Sequence, residues 1–218
     1  MNKLLSKIVW LVILAPVIYL AIIWGSLPAR IAIHYNIHGE PDGYGSKVTL
    51  VGMTLFLVFI NAGAYLLLVN AHRIDPRKNA IENKDKMQRL GFAVTVFISA
   101  ILFMIIHSSS NTGMKFEATW VLAGVGLLFA IMGNYLYTIK PSYFAGFRLP
   151  WAMQNAENWR KTHLLAGKLW FGGGLLIAVV SLFAPALVSI ICFGIVIAII
   201  TVVPCIYSYN LHKETKTL

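Results

Sequence analysis

The chain carries little charge for its length: of 218 residues only 12% are Asp, Glu, Lys or Arg, whereas 58% are apolar. A soluble domain of this size has about 25% charged residues. The few charges also stand in short groups between long uncharged stretches, which indicates that water does not surround most of the chain. The composition therefore excludes an ordinary soluble domain and favours a membrane protein.

Acidic residues are the scarcer charged type, with eight Asp and Glu against 18 Lys and Arg and a net charge of +10. Nucleic-acid-binding proteins share such an excess, but here the basic residues lie in short segments between apolar stretches and form no extended face. We therefore expect no nucleic-acid partner. Basic residues beside apolar stretches are typical of the cytoplasmic flanks of membrane-spanning helices.

Cysteine is nearly absent, with only Cys192 and Cys205 in one apolar stretch near the C-terminus. If that stretch is a helix, the two residues lie about 20 Å apart, which is too far for a disulfide. We interpret both as packing residues.

Long apolar stretches, by contrast, are abundant, and six of them reach the roughly 20 residues that a membrane span needs. The last two come from one uncharged run, 169–206, whose length of about 57 Å as a single helix is nearly twice the hydrocarbon core. Pro185 is the expected break, because proline cannot continue a helix. The sequence predicts an all-α integral membrane protein, a single polytopic domain over 1–218, with six transmembrane helices at about 8–25, 48–70, 90–107, 118–139, 165–183 and 186–208.

The basic residues predict the orientation of these helices. Fifteen of the 18 Lys and Arg fall on one side of the arrangement, and the three on the other side are Arg30, Lys47 and Lys115. Because the basic side faces the cytoplasm, both termini are predicted to lie inside. The same rule gives an external loop at 27–47 and cytoplasmic loops at 71–89 and 140–164.

The first helix also resembles a secretory signal peptide, because Lys3 and Lys7 precede it. Its apolar run from Ile8 to Trp24 exceeds the usual length of that region. We therefore expect an uncleaved anchor.

The external loop is rich in turn-forming residues, and the residues before them alternate between apolar and polar from Ile31 to Ile37, as in a short strand. It is either a folded cap that meets an extracellular ligand or a tight turn that returns the chain to the membrane. Gly43 and Gly45 are expected to need positive φ there. As a ligand loop, its candidate residues are His34, Asn36, Gly39, Asp42, Gly43 and Lys47.

His34 and His38, together with Glu40 and Asp42, have the composition of a metal site. Two histidines four apart on a strand would lie about 13 Å from each other, which is too far to share one ion. We expect no metal.

The first cytoplasmic loop is polar and basic. Asp75 and Pro76 predict a helix start, with Asp75 as the cap and Pro76 in the first turn. The following segment is amphipathic and suits the headgroup region, the alternative being a docking surface for a cytosolic protein.

The second cytoplasmic loop combines aromatic and basic residues. Pro150 predicts the start of one helix, and Asn155 with Asn158 can cap another, on which Trp159 and His163 share a face. Tryptophans at this depth usually anchor a helix at the interface. The sharper hypothesis is one functional cluster, in which Arg148 pairs with phosphate, carbonyl or carboxylate oxygens beside Trp151 and Trp159. Its candidate members are Gly146, Arg148, Pro150, Trp151, Trp159, Thr162 and His163.

This loop resembles the SdpI family of bacterial immunity proteins against a secreted sporulation-delaying toxin peptide. The residues that carry the resemblance run from Tyr143 through Gly146, Arg148 and Pro150-Trp151 to Trp159 and Thr162-His163. The external loop from His34 to Lys47 resembles the domain of unknown function that often begins such proteins, and Ile74 to Asn79 also fits.

The resemblance implies toxin immunity without catalysis, in a multi-pass protein of the bacterial cell membrane. The implied partners are a secreted peptide toxin, the lipid bilayer and, in some members, a cytosolic transcriptional repressor.

The residues themselves leave other functions open. The chain offers no nucleophile with a base, no phosphate loop and no intramembrane carboxylate pair, so we expect neither catalysis nor a cofactor. The main alternative is a transporter of a peptide or small solute, with Asn61, Tyr65 and Asn134 along a polar path. An intramembrane enzyme using His107 or His163 is the third hypothesis.

Overall fold

The computed structural model describes residues 3–36, 39–77, 80–110 and 117–216. Within these ranges the chain forms seven α-helices, two short 3-10 helices and one antiparallel two-stranded sheet. The strands are β1 (Ile31–Tyr35) and β2 (Pro41–Gly45), and the 3-10 helices are Trp24–Ser26 and Ala80–Asn83. The α-helices are α1 (Lys3–Ile23), α2 (Lys47–Ile74), α3 (Lys84–Ser110), α4 (Ala118–Leu136), α5 (Pro150–Gln154), α6 (Ala156–Phe183) and α7 (Ala186–Lys216).

Every one of these α-helices except the five-residue α5 is long and apolar enough to cross a membrane. The predicted all-α multi-pass membrane protein is therefore confirmed. The break between α6 and α7 falls where proline predicts it, because Ala184 before Pro185 has an extended backbone with φ −104° and ψ 158°. The side of the membrane on which each loop lies stays a prediction.

Several helices are longer than their apolar stretches predict. α3 begins at Lys84 instead of near residue 90, and α6 begins at Ala156 instead of near residue 165. Asn155 caps α6 as predicted, because its side chain accepts hydrogen bonds from two backbone N–H groups of the first turn. Asn158, the other predicted cap, lies inside that turn and donates its backbone N–H to Asn155. Hydropathy marks only the hydrocarbon-embedded part of a helix, whereas these helices continue into polar sequence. The segments 71–89 and 140–164 are therefore partly helical.

The predicted helix start at Pro76 is wrong. α2 continues to Ile74, and residues 75–77 are not helical. Asp75 accepts a hydrogen bond from the backbone N–H of Arg77 at 3.0 Å, which closes a local turn. Its carboxylate therefore holds a turn and does not cap a helix.

Contacts within the chain divide it into two compact units, Met1–Leu66 with Gly91–Val121 and Leu67–Leu90 with Leu122–Leu218. They are called the first unit and the second unit. The single polytopic domain stays a prediction.

In the first unit, buried hydrogen bonds join α1, α2 and α3. Asn61 on α2 is fully buried, and its amide Nδ2 donates to Ser99 Oγ on α3 at 3.1 Å. Ser99 Oγ donates in turn to the Val12 carbonyl on α1 at 2.9 Å. Such bonds between membrane helices contribute roughly 0.6 to 2 kcal/mol each. The Asn61 amide, which the sequence offered for a polar transport path, is thus engaged in helix packing.

In the second unit, α4 and α6 cross with their backbones in contact. A Cβ added to Gly133 would lie 2.4 Å from the backbone nitrogen of Phe171, and one added to Gly126 would lie 2.6 Å from that of Ala178. Gly174 faces α4 from α6 in the same way. Small residues let membrane helices approach closely, so that van der Waals packing holds them together.

Orientation can be tested with single cysteines introduced at Asp42 and Glu82 after Cys192 and Cys205 are replaced by serine. Both sites suit labelling, because Asp42 is 44% exposed and Glu82 is also exposed. We expect a membrane-impermeant maleimide to label the Asp42 site in intact cells and the Glu82 site only after the membrane is opened. Labelling of the Glu82 site in intact cells would contradict the predicted orientation.

Candidate functional site

The α4–α5 loop, residues 137–149, lies in the second unit and is fixed at its start by Asp75. This carboxylate is 9% exposed, and its Oδ2 accepts hydrogen bonds from Ser142 Oγ at 2.7 Å and from the backbone N–H of Tyr143 at 3.0 Å. Hydrogen bonds to an ionised carboxylate are stronger than neutral ones. The residue that directly follows α2 therefore determines the path of a loop nearly 70 positions later in the sequence.

Two further residues attach the same loop to the start of α3. The Asn83 amide donates to the Lys140 carbonyl and accepts from the Lys140 N–H, both at 3.0 Å, as a neighbouring strand would. The Lys86 ammonium donates to the Thr138 carbonyl. The segments predicted as two separate cytoplasmic loops are thus in direct contact.

His163 on α6 holds the far end of the α4–α5 loop. Its side chain is fully buried, with Nδ1 2.8 Å from the Trp159 carbonyl and Nε2 2.9 Å from the backbone N–H of Phe147. Because a carbonyl only accepts, Nδ1 carries the proton and Nε2 accepts from Phe147. Both ring nitrogens of this neutral imidazole are therefore used in holding the loop.

Trp159 completes the packing around this histidine. Its indole stacks on the imidazole with ring centroids 3.8 Å apart, and its Nε1–H donates to the Ile139 carbonyl at 2.7 Å. Phe147 meets the imidazole edge-on at 6.0 Å. The predicted shared face of Trp159 and His163 is present, and it lies under the loop.

Gly146 is the point where the loop comes closest to the histidine. Its φ is +95°, a conformation that side chains with a Cβ rarely adopt. A Cβ at this position would lie 2.3 Å from His163 Nε2 and 3.1 Å from Trp159 Cη2. Glycine is therefore required both by the backbone and by the space. We call Gly146, Phe147, Trp159 and His163 the loop cluster.

A second group, the polar bridge, ties α5 and α6 to α7. Buried Asn158 donates through Nδ2 to the Ser208 carbonyl at 2.9 Å, and its Oδ1 accepts from Ser208 Oγ at 2.6 Å and from Thr162 Oγ1 at 3.1 Å. The Trp151 indole N–H donates to Ser208 Oγ at 3.0 Å. The polar bridge thus consists of Trp151, Asn158, Thr162 and Ser208, whose polar atoms satisfy one another.

Arg148 and Pro150 lie at the exposed surface between the two groups. Arg148 Nη1 donates to the Tyr143 carbonyl at 2.8 Å, and Pro150 opens α5 as predicted. The expected stacking of tryptophans beside Arg148 is absent from the described residues: Trp159 stacks on His163, and Trp151 stacks on His212 with centroids 5.7 Å apart. Arg148 therefore leaves most of its guanidinium N–H groups at the surface.

The external-loop candidates fall in the first unit on the β1–β2 hairpin, whose first strand the sequence predicts. His34 Nδ1 lies 2.5 Å from Asp42 Oδ1 across the hairpin, and both residues are solvent-accessible. The Asn36 side chain accepts from the backbone N–H of Glu40 at 3.0 Å and so closes the turn. Burial raises the pKa of the Tyr35 hydroxyl on β1 above its ordinary value.

The glycines of the hairpin differ from expectation. Neither Gly43 nor Gly45 has positive φ, whereas Gly39 does, with φ 73°. Gly43 is required by space, because a Cβ there would lie 2.8 Å from the Cβ of His34 on the paired strand. The cross-strand pairing therefore explains Gly43, and the turn explains Gly39.

Lys47 and His38 are the remaining candidates of the external loop. Lys47 begins α2, where its ammonium donates to the Trp24 carbonyl at 3.3 Å and lies 5.6 Å from the Trp24 ring centroid. His38, considered for a metal site, lies outside the described residues. Within the ranges that the structure describes, no three His, Cys, Asp or Glu side chains are grouped as metal ligands.

Several residues that build the site were not assigned to it from the sequence, namely Asp75, Asn83, Lys86, Ser142, Asn158 and Ser208. Asp75 and Asn158 were considered only as helix caps. Their only sequence signal is polarity at the edge of, or within, apolar stretches. Buried polar residues need hydrogen-bond partners, but the partners lie 50 or more positions away in sequence. Spacing alone therefore cannot find them.

Two parts of the chain match known families. Residues 138–208 match the SdpI/YfhL protein family, and residues 11–58 match a domain of unknown function, DUF1648. The first match contains the loop cluster and the polar bridge, so that this part of the second unit is similar to the SdpI/YfhL family. The resemblance drawn from the sequence is confirmed by these matches, and the protein is a multi-pass membrane protein with a segment similar to the SdpI/YfhL family.

Among individual proteins, the chain is similar to the Immunity protein SdpI of Bacillus subtilis (strain 168). The two sequences are 24% identical over 137 residues. The aligned region covers 62% of this chain and 66% of the relative, slightly less than two thirds of its length. No solved structure matches the chain significantly.

Proposed function

We propose that this protein protects its cell from a secreted, membrane-active peptide toxin and that the second unit carries the response. The proposal rests on one observation: the SdpI-family match, residues 138–208, contains both the loop cluster and the polar bridge. The relative named as an immunity protein supports the same role. Toxin contact is assigned to the β1–β2 hairpin, on the predicted external side.

The geometry favours a rigid display surface over a catalytic centre. His163 and Trp159 are buried and their polar ring atoms bind backbone groups, so they hold the loop. Arg148 and Tyr143 are the exposed residues above them. A guanidinium with free N–H groups on a fixed loop suits a carboxylate or phosphate of a partner.

A cytosolic transcriptional repressor is the partner that we propose for this surface. A protein that meets Arg148 would supply an acidic side chain, whose two oxygens match the planar fork of arginine and not the single ammonium of lysine. The same cells also test the transporter alternative. Transport predicts that the peptide crosses the membrane while the cells are protected, whereas immunity predicts protection without such flux.

The test is expression of the chain in a toxin-sensitive host, followed by toxin challenge. We expect the wild type to protect and Arg148→Lys to lose most protection at normal membrane abundance and unchanged melting temperature. The stability is expected to hold because Arg148 is exposed and, among the described residues, its side chain donates one hydrogen bond, to the Tyr143 carbonyl. Lysine keeps the charge but loses the bidentate geometry.

Arg160→Lys is the matched control. Arg160 is also an exposed arginine of the second unit, but it pairs with Glu157 on its own helix at 2.9 Å, an exposed contact of small energetic value. This variant should protect like the wild type. Full protection by Arg148→Lys would remove Arg148 from the site, whereas a wild type that never protects would remove the immunity function itself.

A further inference from the structure

A groove of about 270 Å³ opens on the side of the second unit between α4 and α6. Its floor is formed by Gly133 and Gly167, where the two backbones touch and no side chain can fill the space. Phe171 and Tyr137 form its aromatic sides, and both are about half exposed. The groove therefore faces the surroundings of the helices and not the interior of the unit.

The polar residues of this groove lie at one depth. Lys168 and Asn134 line it beside Tyr137 and are exposed. Because Gly133 packs on Gly167, Lys168 is level with the last turn of α4, which ends at Leu136. α4 has 19 residues and is about 28 Å long, close to the hydrocarbon thickness. This level is therefore the boundary between acyl chains and headgroups.

The charge of the groove is of one sign. No carboxylate lines it, and within the described part of the chain the ammonium of Lys168 forms no ion pair. A lysine within an apolar helix extends its ammonium to the headgroup level and needs an anion there. The Asn134 amide and the Tyr137 hydroxyl add two donors beside it.

We propose that this groove binds one anionic phospholipid. Its phosphate is held by Lys168 with Asn134 and Tyr137, and one acyl chain lies over the glycine floor against Phe171. An anionic phospholipid is complementary to this groove, because its phosphate meets the single cation and its acyl chain meets the apolar walls. A zwitterionic lipid fits less well, because its own cationic group repels Lys168. Lipid binding here is independent of the immunity function.

The test is native mass spectrometry of the full chain released from nanodiscs of equal phosphatidylglycerol and phosphatidylcholine. We expect the wild type to retain phosphatidylglycerol preferentially and Lys168→Gln to retain about fivefold less, the effect of roughly 1 kcal/mol per basic residue near anionic lipid. Lys161→Gln is the control, because this lysine lies two turns away on α6 and already pairs with Glu157 at 3.4 Å. Neither measurement requires toxin.

Four results would overturn the proposal. The first is equal retention of both lipids by the wild type. The second is undiminished phosphatidylglycerol on Lys168→Gln, and the third is an equal loss on Lys161→Gln, which would indicate a general charge effect. A lipid-free dimer of the wild type that Phe171→Ala dissociates would assign the groove to a second copy of the chain instead.

Discussion

Gly146→Ala is expected to abolish protection and to lower the melting temperature of the purified protein, whereas Gly172→Ala on α6 leaves both intact. Gly146 has φ +95°, a strained conformation for alanine that costs about 1–2 kcal/mol. The new Cβ would also lie 2.3 Å from His163 Nε2, the atom that accepts from Phe147. Breaking that buried hydrogen bond costs a further 1–3 kcal/mol or so.

Gly172 is a fair control because a Cβ there meets nothing within 4 Å. Alanine also favours a helix over glycine, so that variant is expected to be no less stable than the wild type. Thermal unfolding in detergent, followed by the protection assay, gives both readouts. An undisturbed Gly146→Ala protein would show that the loop does not lie on His163 as described.

Gly133→Leu is the second substitution with a large expected effect, namely loss of most of the folded protein from the membrane. The atoms that a Cβ would meet are backbone atoms, the Phe171 nitrogen at 2.4 Å and the Gly167 oxygen at 2.8 Å, and neither can turn aside. α4 and α6 must then separate, which removes their van der Waals packing. Overpacking alone typically costs about 1–3 kcal/mol, and the rigid contact places this case at the upper end.

The matched control for Gly133 is Gly194→Leu on α7, where no atom lies within 4 Å of an added Cβ. The measurement is the ratio of monodisperse to aggregated protein after detergent extraction, at equal synthesis. Normal extraction of Gly133→Leu would contradict the backbone contact between α4 and α6.

Sequence reasoning predicted the elements that one strong local signal controls. The six long helices follow from apolar length, β1 from alternation, and the α6/α7 break from Pro185. It missed β2, because Pro41, Asp42 and the glycines favour turns and only pairing with β1 makes the segment a strand. Helix ends were also misplaced, because hydropathy does not register the polar turns that extend α3 and α6.

Within the candidate site, the sequence predicted only how residues of one helix are arranged relative to each other. The four-residue spacing of Trp159 and His163 gave their common face, which the stacked rings show. What covers that face, Gly146 and Phe147, comes from a separate segment, and the bonds of Asp75 reach residues 67 and 68 positions away. Such partners depend on tertiary packing, which no local pattern of the sequence encodes.

One face of α6 makes two contacts, with the α4–α5 loop and with α4, and this restricts how α6 can move. His163, Gly167, Gly174 and Ala178 follow each other at intervals of four, seven and four, so the face that binds the α4–α5 loop continues as the face that meets α4. A slip of α6 by one residue would shift it 1.5 Å and turn it about 100°, driving larger side chains into the α4 backbone. α6 therefore cannot rotate or slide independently of α4. A displacement at one end of its 28 residues is expected to move α4 and α6 together as one rigid body.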